Sequence, residues 1–164
     1  MPTNKGAGFT LIELIIVIVI LGVLAVTAAP LFLNFSNDAR AATLQGLKGA
    51  VDSSISLVFY KCQLDPVCDI RLPADNSNQT QVCAKRSCAA GEYINTHFGY
   101  PNATAAGIDR ALDLSGFVVT GSTGTQRNFR PAGVETSNNN CRLRYIRAAA
   151  VNTPPTVEVF SSNC

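Results

Sequence analysis

Three groups of residues in this 164-residue chain have types and spacings that could do chemistry. At the N-terminus a glycine–phenylalanine junction, Gly8-Phe9, stands five residues before an acid, Glu13. Six cysteines follow much later, at Cys62, Cys68, Cys83, Cys88, Cys141 and Cys164. The third group is a lone histidine, His97, and five arginines, Arg127, Arg130, Arg142, Arg144 and Arg147. A carboxylate at the edge of an apolar helix is costly to keep, so Glu13 points to a task. The simpler reading, an acid favoured by the positive end of a helix dipole, leaves the adjoining Gly-Phe-Thr-Leu-Ile unexplained.

The cysteines admit two chemistries. Tetrahedral zinc needs four ligands, and the C-x5-C and C-x4-C spacings with one stray histidine fit its patterns poorly. An even number of cysteines in a small polar portion instead suits disulfides formed in an oxidising compartment. Connectivity among Cys62, Cys68, Cys83 and Cys88 stays open, adjacent and crossed pairings both being allowed. Hydrolysis would need a positioned base and nucleophile, and His97 alone supplies neither a triad nor a metal site. His97 reads as a structural or surface residue, and no enzymatic activity, cofactor or metal is expected. The arginines could give phosphates a cationic patch, but a solvated strand face is the simpler account, and a net charge of +2 is not that of a strongly basic nucleic-acid binder.

The elements that position these residues begin with an apolar rod. No charge occurs from Leu14 to Phe35, and as a helix this run rises roughly 33 Å, enough for one membrane span. It is longer than the apolar region of a cleaved secretory signal, and the small residues around Val26–Ala29 lead straight into Pro30, an awkward neighbour for a signal peptidase. Lys5 agrees with a cytoplasmic N-terminus. After Pro30, Leu44, Leu47, Val51, Ile55 and Val58 recur at helical steps, while Ala39, Ala41, Ala42, Gly46 and Gly49 keep other faces slim. A helix is expected from about Thr10 to Lys61, weakened at Gly22 and Pro30 and stopped near Asp65-Pro66.

The remainder reads as a small head. Residues 73–81, Pro-Ala-Asp-Asn-Ser-Asn-Gln-Thr-Gln, form an expected loop, Tyr93–Phe98 a strand, and Asn102 the cap of a short helix over 103–114. Strands are expected at Phe117–Thr120, at Cys141–Val151 with Leu143, Tyr145 and Ala149 on one face and Arg142, Arg144 and Ala148 on the other, and at Thr156–Phe160. A helix against a small antiparallel sheet is an α+β architecture.

Gly8 to Leu14, Gly-Phe-Thr-Leu-Ile-Glu-Leu, resembles the processing motif of type IV prepilins, with Gly22 in mid-span and Pro30 at its far end as in that family. The resemblance implies a type IV pilin fold and cleavage between Gly8 and Phe9 by a prepilin peptidase that also methylates Phe9. It implies a leader over 1–8, a transmembrane and assembly half of the helix over 9–35, an amphipathic half over 36–62 and a globular head over 63–164. Cleavage frees an ammonium on Phe9, which the Glu13 carboxylate of a neighbouring subunit could neutralise, fixing axial register among helices that would otherwise slide. The segment between Gly22 and Pro30 would then be able to lose helicity in the filament.

The same resemblance pairs Cys141 with Cys164 around the final strands. The implied partners are other pilin subunits, the peptidase and inner-membrane assembly machinery; no receptor is named. The implied location is the inner membrane as a single-pass precursor, then an extracellular pilus. The runs Thr-Ala-Ala-Pro-Leu-Phe-Leu-Asn-Phe-Ser-Asn-Asp-Ala-Arg-Ala-Ala-Thr-Leu-Gln-Gly-Leu-Lys-Gly-Ala (27–50) and Phe-Gly-Tyr-Pro-Asn-Ala-Thr-Ala-Ala-Gly-Ile-Asp-Arg-Ala-Leu-Asp-Leu (98–114) resemble pilins of the mannose-sensitive haemagglutinin type, which implies an adhesive filament. The cysteine-rich stretch Cys62–Cys88 departs from that type. Two alternatives share the N-terminal motif: a secretion pseudopilin, disfavoured because Glu158 is the only acid beyond Asn139, and a DNA-binding minor pilin using the arginines. Asn78-Gln79-Thr80 and Asn102-Ala103-Thr104 match a glycosylation pattern common by chance and are not read as modification sites.

Overall fold

The computed structural model describes residues 9–164 except 76, 77, 84 and 86, with the backbone alone at 28–34 and 78. A single helix, α1, covers Leu11–Leu64. The chain divides into two compact units, the first ending at Asp38 and the second running from Ala39 to Cys164. The amphipathic half of α1 therefore shares one compact unit with the head.

In the first unit α1 passes through Gly22 and Pro30 without a break, and its described apolar side chains are exposed throughout, from Leu11 at 76% to Val26 at 77%. A helix that is apolar on every face has no core side of its own, so its stability depends on surroundings that are themselves apolar.

In the second unit the stripe predicted from spacing faces inward. Leu44, Leu47, Val51, Val58 and Cys62 are buried, Ile55 is half-buried, and Ser54 joins the same face, its hydroxyl donating to the Val51 carbonyl at 2.8 Å. The outward face carries the Lys48–Asp52 pair at 2.6 Å, together with Gly46 and Gly49, where an added Cβ would meet nothing. The helix ends at Leu64, directly before the expected stop at Asp65-Pro66. Asp65, held out of the helical region by Pro66, accepts a hydrogen bond from the Val67 amide at 3.0 Å, and the Cys62–Cys68 disulfide closes the turn.

The head contains two sheets. In the first, β1 (Gln81–Val82), β2 (Ile94–His97) and β3 (Tyr100–Pro101) pair antiparallel in that order. Phe98 and Gly99 turn β2 into β3 with φ of 54° and 80°, the pairing of positive φ values that a two-residue hairpin needs. Gly99 is required for a second reason, since a Cβ there would lie 2.8 Å from Ile70 Cγ2. Beneath it Phe59 of α1 stacks on Tyr100 at 4.3 Å.

The second sheet is a meander of β4 (Phe117–Thr120), β5 (Gln126–Pro131), β6 (Arg142–Ile146) and β7 (Thr156–Phe160), antiparallel and in chain order. Its inner face, led by Phe129, Leu143 and Tyr145, packs with Leu44, Leu47 and Val51 of α1 and with Ile108. A smaller cluster of Val58, Val82 and Ile94 serves the first sheet. Tyr145 also ties the two sheets together, because its buried hydroxyl donates to the Pro101 carbonyl.

Several expectations are corrected. The helix over 103–114 is absent, and only a 3₁₀ turn at Ile108–Ala111 remains. At Gly107 a Cβ would stand 2.1 Å from the Asn102 carbonyl oxygen, so the chain folds back there too tightly for a regular helix. Asn102 is buried and organises that fold-back, its carbonyl accepting from the Thr104 and Ile108 amides at 2.8 Å each and its side chain from the Ala103 amide at 2.9 Å. The end of the 73–81 loop enters β1, and β5 is a strand with no counterpart in the sequence reading. The strand expected at 141–151 stops at Ile146. Beyond it the Arg147 amide bonds the Thr125 carbonyl at 3.0 Å, and the faces exchange, Ala148 being buried and Ala149 exposed.

Candidate functional site

The N-terminal cluster is built on the first turn of α1. Gly8 lies outside the described residues, and Phe9 is 92% exposed. Thr10 and Glu13 form a reciprocal cap. The Thr10 amide and hydroxyl donate to Glu13 Oε2 at 2.9 and 2.8 Å, and the Glu13 amide donates back to Thr10 Oγ1 at 3.3 Å. This is the capping box written in sequence as Thr-x-x-Glu, a signal the sequence reading did not use. In a single chain, then, Glu13 has a local partner in Thr10. Gly22 is open on its Cβ side, and the side chain of Pro30 lies outside the described residues.

From Phe9 to Val26 the helix presents a continuous exposed apolar surface in which every large hydrophobic residue is at least 46% exposed. So large a patch marks a surface meant for lipid or for other apolar helices. Among the described residues no helix is long and apolar enough to cross a membrane; the uncharged run continues past Thr27 into residues described by backbone alone.

The cysteines are joined as Cys62–Cys68, Cys83–Cys88 and Cys141–Cys164, so the four whose pairing was open are paired with their neighbours. Lys61, in the last turn of α1, donates to the Cys83 carbonyl at 3.1 Å and anchors the second of these loops to the helix. His97 is buried in β2, and its Nδ1 accepts the Ala74 amide at 2.8 Å. Burial first, and the Arg147 charge second, hold its pKa below the ordinary value of 6.5. That is a structural role.

The five arginines do not form one patch. Arg127 is engaged by Asp109, its Nε donating at 3.0 and 3.2 Å, and Arg147 reaches Asn102 Oδ1 at 3.2 Å. Arg130, Arg142 and Arg144 lie on the other face of the second sheet, where Arg142 and Arg144 flank the Phe160 ring at 4.7 and 4.8 Å.

Residues 3–29 match the family model described as the prokaryotic N-terminal methylation motif. The chain is also similar to the type IV narrow pilus major component PilA5 of Thermus thermophilus, with 38% identity over 65 residues that cover 40% of this chain and 56% of that relative. The chain thus spans little more than half the length of the curated relative it matches. No solved structure matches. The long N-terminal helix, the antiparallel sheets and the disulfides are consistent with the type IV pilin fold.

Proposed function

We propose that the chain is a type IV prepilin, a structural subunit that polymerises through its N-terminal helix into an extracellular pilus. A peptidase removes residues 1–8, cutting between Gly8 and Phe9, and the new amine of Phe9 is methylated. The apolar half of α1 holds the precursor in the inner membrane with its N-terminus in the cytoplasm, and assembly machinery there passes it into the filament. The observation that carries the reading is the methylation-motif match over 3–29, which takes in the Gly8-Phe9 junction and Glu13 at the head of an exposed apolar helix.

Assembly needs Glu13 to exchange its cap. On one chain the carboxylate is satisfied by Thr10; beside a neighbour's Phe9 ammonium in an apolar filament core it meets a full positive charge instead. There the carboxylate gains the attraction of a full opposite charge in a low-dielectric surrounding, in place of hydrogen bonds from uncharged donors, which favours the exchange. The helix between Gly22 and Pro30 then loosens as subunits pack. The filament serves surface attachment, as in the mannose-sensitive haemagglutinin type, a reading supported by the resemblance of residues 27–50 and 98–114. Mass spectrometry of filament subunits tests the core of this proposal: a mature chain starting with N-methylated Phe9 is expected, and any other start overturns it. Surface-attachment assays on cells lacking the chain test the adhesive role.

A further inference from the structure

The second sheet has two open edges, β4 on one side and β7 on the other. Among the described residues, no backbone group of Val118–Thr120 or Thr156–Phe160 makes a hydrogen bond beyond the sheet. Such an edge is a template for further pairing, and proteins usually blunt it with lysine, proline or a bulge in the strand itself. Neither edge carries these devices. β4 reads Phe-Val-Val-Thr and β7 reads Thr-Val-Glu-Val-Phe, and both keep continuous register with their inner neighbours. The one charge in the two strands, Glu158, already faces Arg144 at 3.5 Å, and Val118 is 46% exposed.

The two edges fit each other. An antiparallel meander of four strands has edge strands that run in opposite directions, so a second copy set alongside in the same orientation offers its β4 antiparallel to β7. Pairing like edges would instead reverse one copy's α1 or turn its inner face outward. The faces agree as well. Phe117, Val119, Val157 and Val159 pack against the core, while Val118, Thr120, Thr156 and Glu158 alternate with them on the outer face. Two registers keep all of β4 alongside β7, and they differ by one residue, a slip that exchanges the faces. The register that matches them sets Phe117 against Val159, Val118 against Glu158, Val119 against Val157 and Thr120 against Thr156 of the neighbouring copy.

We propose that β7 of one copy pairs with β4 of the next in this register, so that the second sheet continues from subunit to subunit; the inference rests on the pilin reading. A contact between two different edges does not close into a dimer and repeats without end, as a filament requires. Its size says which partner it takes. An edge of four or five residues buries far less than the roughly 1,200 Å² of a stable interface, so it cannot hold a freely diffusing protein. Copies already gathered through α1 meet at a high effective concentration, and for them a weak, register-specific contact is enough.

Val118 supplies a test in which the sign differs within and between copies. Within one chain it lies opposite Arg130, so V118E gains an opposite charge and V118K meets a like one. Across the proposed junction it lies opposite Glu158, and the signs reverse. Filaments of each variant are sheared from cells and pelleted, and the full chains are melted in detergent micelles. V118K filaments are expected in wild-type amounts and V118E filaments to be mostly lost, although V118E chains melt no lower than V118K chains. With Val118 replaced by benzoylphenylalanine, illumination of filaments should give a covalent dimer joined to the peptide that carries β7, and illumination of micelles none. Equal recovery of V118E and V118K filaments, losses that follow the micelle melts, or cross-links to another peptide or another protein would overturn the junction. The pilin reading survives those results, because filaments of the unaltered chain still form. Absence of filaments from the unaltered chain would overturn that reading and the junction with it.

Discussion

Thr10 and Glu13 close the start of α1 on each other, the side chain of each satisfying the backbone amide of the other, with contacts of 2.8 to 3.3 Å. The same carboxylate is the one we propose to meet a neighbour's amine in a filament. Its two duties are separable, because only one of them needs Thr10.

T10A should loosen the first turn and leave filaments in place, whereas E13A should abolish them. Electron microscopy of cell surfaces, with circular dichroism on the purified chains, checks both. Equal loss of filaments in T10A and E13A would reduce Glu13 to a helix cap.

Asp109 and Arg127 form a pair whose side chains are only 14% and 13% exposed, joining the 3₁₀ turn to β5. Removing one partner strands the other charge, so D109A or R127A should each cost about 2–3 kcal/mol in urea denaturation. The double variant should cost clearly less than the two single losses together.

Acid should weaken the fold through His97. Burial and Arg147 keep its imidazole neutral in the folded chain, while the unfolded residue protonates near 6.5. Below that pH the unfolded state binds more protons, so stability falls as pH drops and levels off once the folded imidazole also protonates. Protonation would further place a second N–H against the Ala74 amide that Nδ1 now accepts. Thermal melts at pH 7.5 and 5 should show a drop that H97Q reduces.

The disulfides differ in the length of chain they close, 23 residues for Cys141–Cys164 against 6 for Cys62–Cys68. Loop-closure entropy gives about 3.4 kcal/mol for the first and about 2.2 for the second. C141S/C164S should therefore lower the urea midpoint more than C62S/C68S. Cys141 is also fully buried in the main core, which adds to the difference.

Much of this architecture is written locally. The apolar run, the stripe Leu44–Leu47–Val51–Val58 and the stop at Asp65-Pro66 are legible because each depends on residues within one or two helical turns. The strand at Ile94–His97, the inward alternation of Leu143 and Tyr145, and the final strand are legible for the same reason. The helix expected after Asn102 fails because Gly107 is pressed against the Asn102 carbonyl, a contact made by a tertiary fold-back. Strand β5 escaped notice because Gln126, Arg127, Asn128 and Arg130 carry no apolar alternation beyond Phe129, and Arg127 faces inward only because Asp109 awaits it.

Sequence alone determined that this chain has one apolar rod with an acid at its head and a small cysteine-bearing domain, since hydropathy and spacing are properties of neighbours along the chain. Tertiary structure decided which arginines stand together, how Cys62, Cys68, Cys83 and Cys88 join, and that His97 is internal. Those outcomes rest on strand register and turn geometry, which bring residues tens of positions apart within a few ångströms of each other.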